Sequence, residues 1–481
     1  MPPQIATVLF AAGIAGLFWL DRDGSVRVSK ALWLPVIWLS INGSRSVSAW
    51  LGMGAQREIP GQLPESSLLD QLVAGTLMLL GVIVLIRRRR DVRGLLKASW
   101  PVVLYYSFCL VSLLWSDFPG WGFKRWARAL GDLVMVLIVV TDAQPTAALR
   151  RLFSRVGFVL LPASVLLIRY YPDLGRGFGA FGGEIVNTGV TTNKNSLGVL
   201  VLVVALGTLW QVVELLRDKK QPNRTRRLLA QGTLLYLGIS LLFTAHSATS
   251  GASFGLGAGL MLAITLPFLR ARPAAVHAVI LAGLLASSLG VLLGGDAEIA
   301  KAMGRKPDLT GRTEIWRMVI PMVPNSILGA GFETFWCGPR VEKFYAMHGG
   351  IAMTNEAHNG YIEVYVNLGW LGICLIALIL GHGYRRTVSA FRRDSALGAL
   401  LVAYVVTAVA YNIGEAGFRM LSLSWFFLLL SVVAASRVIC RPQAGNIGEL
   451  GCFPKEMHPQ EHYSTIRAMS GLNTSLQMEN I

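Results

Sequence analysis

Thirteen apolar runs, most of them about as long as a bilayer is thick, constrain this chain more than any other feature. They lie near residues 4–20, 31–50, 68–86, 99–115, 127–141, 152–168, 196–216, 228–245, 252–269, 274–293, 360–381, 396–413 and 419–436. A hydrocarbon core of about 30 Å takes roughly 20 apolar residues as helix. Lipid offers no partner to a backbone N–H or C=O, so only helices or closed barrels span it, and runs this long mean helices. The expected fold is all-α: a polytopic integral membrane protein of about 12–13 transmembrane helices over residues 1–441. Composition agrees, since 53% hydrophobic and 15% charged residues make 481 residues too apolar for a soluble protein.

The net charge of +17 could point to nucleic acid or to membrane topology, and its placement decides. The basic residues of 22–30, 87–97, 150–151, 217–227, 270–272 and 382–394 fall in alternate loops, and the loops between them carry few. This is the positive-inside pattern, with the basic loops cytoplasmic. No basic patch is interleaved with aromatics, so membrane lipids and not nucleic acid are the expected partners. Alternation puts three larger segments outside: 51–67, 169–195 and 294–359. The polar stretch 442–481 lacks periodicity and reads as a disordered cytoplasmic tail. The N-terminus has no basic n-region and no small-residue cleavage site, and it reads as a first membrane helix. Five scattered cysteines, Cys109, Cys337, Cys374, Cys440 and Cys452, form no CxxC and suggest neither a zinc site nor a disulfide framework.

Chemistry-bearing residues gather in the outer segments. In "NEAHNGYIEVYVNLGWLG" (Asn355 to Gly372), His358 and Asn359 stand at the mouth of an apolar helix. Glu363 follows about 7 Å deeper. A carboxylate there is costly in lipid, so it needs a wet cavity or a partner. Helical spacing would put His358, Tyr361, Ile362 and Tyr365 on one face and Glu356, Asn359, Glu363 and Asn367 on another. In "LTGRTEIW", Thr310 reads as an N-cap, with Arg312 in the first turn, where a guanidinium and free N–H groups suit a phosphate. The competing reading pairs Arg312 with Glu314 or Asp308. Ile315, Trp316, Val319, Ile320 and Val323 form a stripe that lies on the membrane or packs on the bundle. Residues 175–198 are Gly-rich and end near Lys194, as a flexible loop or a phosphate cradle.

These residues resemble a family. His358-Asn359, nine residues, then Gly369-Trp370-Leu371-Gly372 resembles the H-N-x9-G-x-x-G signature of the bacterial O-antigen ligase and polymerase superfamily. "TGRTEIW" followed by "GAGF" (Gly329 to Phe332), and "NKNSLG" (Asn193 to Gly198), resemble its other segments. "LLWSDFP" (Leu113 to Pro119) is similar to the exopolysaccharide-polymerase branch. The resemblance covers about residues 68–436. Two places depart from it: Asn193 stands where many relatives have His, and Ala248 where many have a basic residue.

The resemblance implies a metal-independent, inverting membrane glycosyltransferase of the bacterial inner membrane, without cofactor, its site facing the periplasm. The donor would be a glycan on undecaprenyl diphosphate. The acceptor would be a second lipid-linked repeat unit, for an exopolysaccharide polymerase, or lipid A core, for an O-antigen ligase. A flippase and a chain-length regulator would be its partners. His358 would orient or deprotonate the acceptor hydroxyl, and Glu363 would fix the imidazole or line the acceptor path. Arg312, Lys194, Asn195 and Asn359 would bind diphosphate or glycan. A transporter of the same lipid is the reading from another class, and it would place its charged residues at the membrane midplane in paired halves.

Overall fold

The structure, a computed structural model, describes residues 1–24, 26–53, 67–178, 184–266, 272–292, 309–347 and 355–440. The tail 442–481, Asp308, much of the outer segment 51–67 and the beginning of the 294–359 segment lie outside the described residues, as does the side chain of Thr310.

Among the described residues the architecture is all-helical, apart from one antiparallel pair, Arg176–Phe178 with Ile185–Asn187. Every one of the thirteen apolar runs contains helix. Among the described residues, eight helices are long and apolar enough to cross a membrane, or nine when the bent pair Arg89–Ala98 and Trp100–Trp115 counts as one span. Other runs fall short for visible reasons. Trp33–Asn42 is ten residues long and Ala248–Ile264 seventeen. Pro119–Val140 has the length but carries Lys124, Arg125, Arg128 and Asp132. The last run begins later than its hydropathy suggested, because Arg419 to Ser422 form a turn and the helix spans Leu423–Cys440.

Ser395–Gly414 sits at the centre, with 83% of its apolar window buried, whereas Pro3–Leu20 is peripheral at 11%. At the centre the rings of Phe153, Tyr404 and Phe427 stack with centroids 5.2–6.0 Å apart. The Tyr404 hydroxyl, buried among them, donates to the Val203 carbonyl at 2.6 Å, which removes the cost of an orphan polar group.

Contacts sort the loops into the two groups that charge alternation predicted. The Asn187 amide donates to Thr244, Ser247 donates to Asn195, and Arg312 pairs with Glu415. On the other side Arg88 meets Asp142, Arg150 meets Glu214, and Arg437 meets Asp91.

The helix that carries the H-N-x9-G-x-x-G pattern is not continuous. It extends from Gly360 to Arg393, but Gly369 has φ 64° and ψ −164° and breaks it. The loop of Ser326 to Gly331 is spliced into the break. Ala330 and Gly331 donate to the carbonyls of Val366 and Asn367, at 3.1 and 2.8 Å. In return, the amides of Trp370 and Leu371 donate to Ser326 and Ile327, at 2.9 and 3.1 Å. Four backbone groups that the break would orphan inside a membrane helix are thereby satisfied. A Cβ on Gly369 would lie 2.2 Å from the Ile327 oxygen. Gly369→Ala is therefore expected to destabilise the fold by at least about 1–2 kcal/mol, from the left-handed backbone alone. A lower unfolding temperature in detergent would show it, and an unchanged one would contradict the splice.

The stripe on Leu309–Val319 packs on the bundle. Ile315 and Val319 are fully buried in a cluster with Ala330, Phe335, Phe344 and Val366, while Ile320 lies outside it. "LLWSDFP" makes the turn beneath this cluster. Ser112 accepts from the Phe332 amide, Trp115 donates to Leu328, and Asp117 pairs with Arg340 at 2.5 Å.

Candidate functional site

His358 stands just before the helix and not on it. Asn359 is the N-cap, its side-chain oxygen accepting from the amides of Tyr361 and Ile362 at 3.0 Å. Its Nδ2 donates to the Ile413 carbonyl at 2.9 Å. Both ends of the Asn359 amide thus have partners within the protein. Gly360 follows because a Cβ there would meet Asn412. His358 adopts φ 49°, a left-handed conformation that a non-glycine residue keeps only when its surroundings hold it there.

The imidazole is held by two carboxylates. Its Nδ1 lies 3.0 Å from Glu356 and 3.4 Å from Glu415. Glu415, 4% exposed at the end of the Ser395–Gly414 helix, pairs through its other oxygen with Arg312 at 3.0 Å. Arg312 therefore reaches into the site from the first turn of its own helix. The competing reading pairs Arg312 with Glu314 or Asp308; Asp308 lies outside the described residues, and the partner the structure gives is Glu415, a hundred residues away. Glu356 pairs through its other oxygen with Arg419 at 3.4 Å, and Arg419 approaches Glu333 at 3.6 Å and Glu363 at 3.8 Å. Arg125 completes the ladder, 3.2 Å from Glu333.

Glu363 is 2% exposed and does not touch the imidazole. It accepts from Trp336 Nε1 at 2.8 Å and from the Ala357 amide at 2.9 Å. The carboxylates on the imidazole are Glu356 and Glu415, whereas Glu363 fastens the backbone one residue before His358. Trp316 does the same from the other side, donating to the Ala357 carbonyl at 2.8 Å.

Lys194 and Asn195 open the helix Lys194–Arg217, whose N-cap is Asn193, accepting from the Ser196 amide at 2.8 Å. Asn195 accepts from Ser247 at 3.4 Å. Thr249, two residues on, packs against Gly414, which also abuts Arg312. Lys194 and Asn195 thus share an end of the bundle with Arg312 and His358. Ala248 is the first residue of the next helix, Ala248–Ile264.

Burial alone would lower the His358 pKa, but hydrogen bonds to Glu356 and Glu415, reinforced by their charge, hold it up at about 10. Burial would raise Glu356, yet the imidazole and Arg419 bring it down to about 2. The pair's contribution to stability is then fully present between the ordinary Glu and His values, about pH 4.5 and 6.5. It is lost as pH rises through about 10 and as it falls through about 2. Comparing unfolding temperatures of the native chain and His358→Gln across pH should show the gap between them widest in that window.

By distance alone Glu356, His358 and Glu415, whose ligand atoms lie within 4.8 Å of one another, could surround a metal ion. The donor set argues otherwise. Each carboxylate already accepts a guanidinium, so a divalent cation would enter beside Arg312 and Arg419.

Sequence reading missed Glu415, Arg419 and Glu333. A signal for the first two was present: "GEAGFR" sets an acid and a base in a very short link between two apolar runs. Glu333 gave none beyond its place after "GAGF".

Residues 233–377 match the model of the O-antigen ligase family. That segment contains Arg312, Glu333, Glu356, His358, Asn359 and Glu363, while Lys194, Asn195, Glu415 and Arg419 lie outside it. Over 314 residues, 62% of this chain and 67% of the relative, the sequence is 26% identical to the exopolysaccharide production protein ExoQ of Rhizobium meliloti strain 1021. The protein is thus a multi-pass membrane protein with a segment that matches the O-antigen ligase family, and it is similar to an exopolysaccharide production protein.

Proposed function

We propose that the protein is a membrane glycosyltransferase of polysaccharide synthesis, joining lipid-linked repeat units into an exopolysaccharide at the periplasmic face of the inner membrane. The observation that carries this reading is the imidazole of His358, held between Glu356 and Glu415 one ion pair from Arg312. When neutral, an imidazole that donates from Nδ1 to a carboxylate keeps its lone pair on Nε2, the tautomer that accepts a proton in hydrolase triads. A guanidinium beside it suits a phosphate.

The reaction is a single displacement. The acceptor hydroxyl oxygen attacks the anomeric carbon of a glycan on undecaprenyl diphosphate. The bond from that carbon to the diphosphate breaks, and its electrons leave with the lipid diphosphate. The acceptor proton passes to His358 Nε2. Attack opposite the leaving group inverts the anomeric centre. Arg312 stabilises charge on the departing diphosphate, and Lys194 and Asn195 lie at the same end to assist. No step needs a metal.

Size separation of products tests the polymerase reading. The purified protein in lipid vesicles receives the lipid-linked repeat unit as both donor and acceptor. A ladder of lengthening chains is expected. A folded protein with intact substrate and no ladder would overturn the polymerase reading, and product formed on added lipid A core would establish a ligase.

A further inference from the structure

The charged ladder has a centre to which neither motif nor resemblance points. Arg419 lies in the turn between the helices Ser395–Gly414 and Leu423–Cys440 and meets three carboxylates from three segments: Glu333, Glu356 and Glu363. It also donates to the Asn355 carbonyl at 3.3 Å. Through these contacts it holds the chain on both sides of the imidazole. Asn355 and Glu356 are gripped directly, and Ala357 through Glu363, which accepts its amide. The next residue is His358, in a left-handed conformation that a non-glycine residue keeps only when its neighbours hold it there.

Charge points the same way. Arg125, Arg312, Arg419 and the imidazole face the carboxyl groups of Glu333, Glu356, Glu363 and Glu415. Arg419 alone touches three of the four carboxylates. An arginine suits that task because its planar fork presents several donors at fixed angles, whereas lysine offers a single point charge.

We propose that Arg419 is the positioning residue of the transfer reaction: it fixes the Glu356–His358 pair in place without itself touching the reacting atoms. This rests on the reading of His358 given above. Among the described residues, the charged groups facing the imidazole are Glu356 and Glu415. Behind them stand Arg419 on Glu356, Arg312 on Glu415, and Glu363 beneath the Ala357 amide. Removing Arg419 leaves the field of Glu356 on the imidazole less cancelled, which favours the protonated form.

The test compares the full-length native chain with Arg419→Gln and Arg419→Lys in vesicles. Two quantities are read: the titration of His358 by nitrogen NMR of 15N-histidine protein, assigned by its loss in His358→Gln, and the pH dependence of transfer. With Arg419→Gln both should move together to higher pH. Transfer near neutrality should fall about tenfold for every pH unit by which the titration moves, and recover at higher pH. Arg419→Lys, which keeps the charge and loses the fork, should move both in the same direction by less than Arg419→Gln does. A folded Arg419→Gln protein with unmoved titration, whether transfer is unchanged or falls equally at every pH, would overturn the proposal. Should the glutamine variant fail to fold, Arg419→Lys decides, since a native titration and a native rate in it would also overturn the proposal. A native chain that transfers nothing while the titration moves as expected would sink the reaction and leave the positioning role standing.

Discussion

His358→Ala should slow glycan transfer by about 10²–10⁴-fold, the usual worth of a positioned proton acceptor. The effect should appear in the rate at saturating substrate, because the imidazole takes a proton only as the new bond forms. Glu356 and Glu415 would then face each other across a gap without the group that neutralises them, so the fold needs checking alongside. His358→Gln, which can still donate a hydrogen bond, serves that purpose. Initial rates of product formation in vesicles measure the effect. A folded alanine variant with the native rate would remove His358 from the chemistry.

Transfer should also depend steeply on pH. The reaction needs neutral imidazole, and the two carboxylates keep it protonated up to about pH 10. The ratio kcat/KM is expected to rise about tenfold per pH unit through the neutral range and to level off only near that value. Glu356→Gln removes one source of the raised pKa. With less to favour the charged ring, the rising limb moves to lower pH, while the plateau falls because the ring is less firmly oriented. A flat profile through neutrality in the native chain would show that no such protonation limits the reaction.

Much of this was legible in the sequence. Apolar runs gave the helices, alternate basic loops sorted their ends, and the stripe from Ile315 to Val323 marked a packed helix. His358 was visible as a titratable group at a helix mouth. Glu363 was visible as a carboxylate too deep to stand alone, and it does have partners. Those partners were beyond reach, because Trp336, Ala357 and Arg419 converge on it only once three segments fold together. Arg312 shows the same limit: local spacing offers Glu314, and the fold supplies Glu415. The break at Gly369 was hidden for a different reason. Glycine is common in membrane helices, and the apolar run continues through it. Only the loop that fills the break, Ser326 to Gly331, makes the break tenable, and "GAGF" by itself looks like any turn.

The arrangement also bears on the transporter alternative. A carrier concentrates its charged residues near the midplane, on broken helices that recur in two halves. Here the ladder from Arg125 to Arg312 draws on the ends of helices and on the turns joining them. The break at Gly369 is filled by backbone and not by charged side chains. This favours an enzyme acting on a lipid delivered from the membrane.

One measurement separates these readings most directly. Lipid-linked glycan, labelled in its sugar and placed in the leaflet facing the His358 end, is given to the protein in vesicles. Release of free lipid diphosphate and movement of label to the other leaflet are followed together, with His358→Ala and Arg312→Ala alongside. Bond cleavage coupled to glycan transfer by the native chain, lost in both folded variants and without movement between leaflets, is the predicted result. Label that crosses the bilayer with the lipid diphosphate bond intact would contradict it.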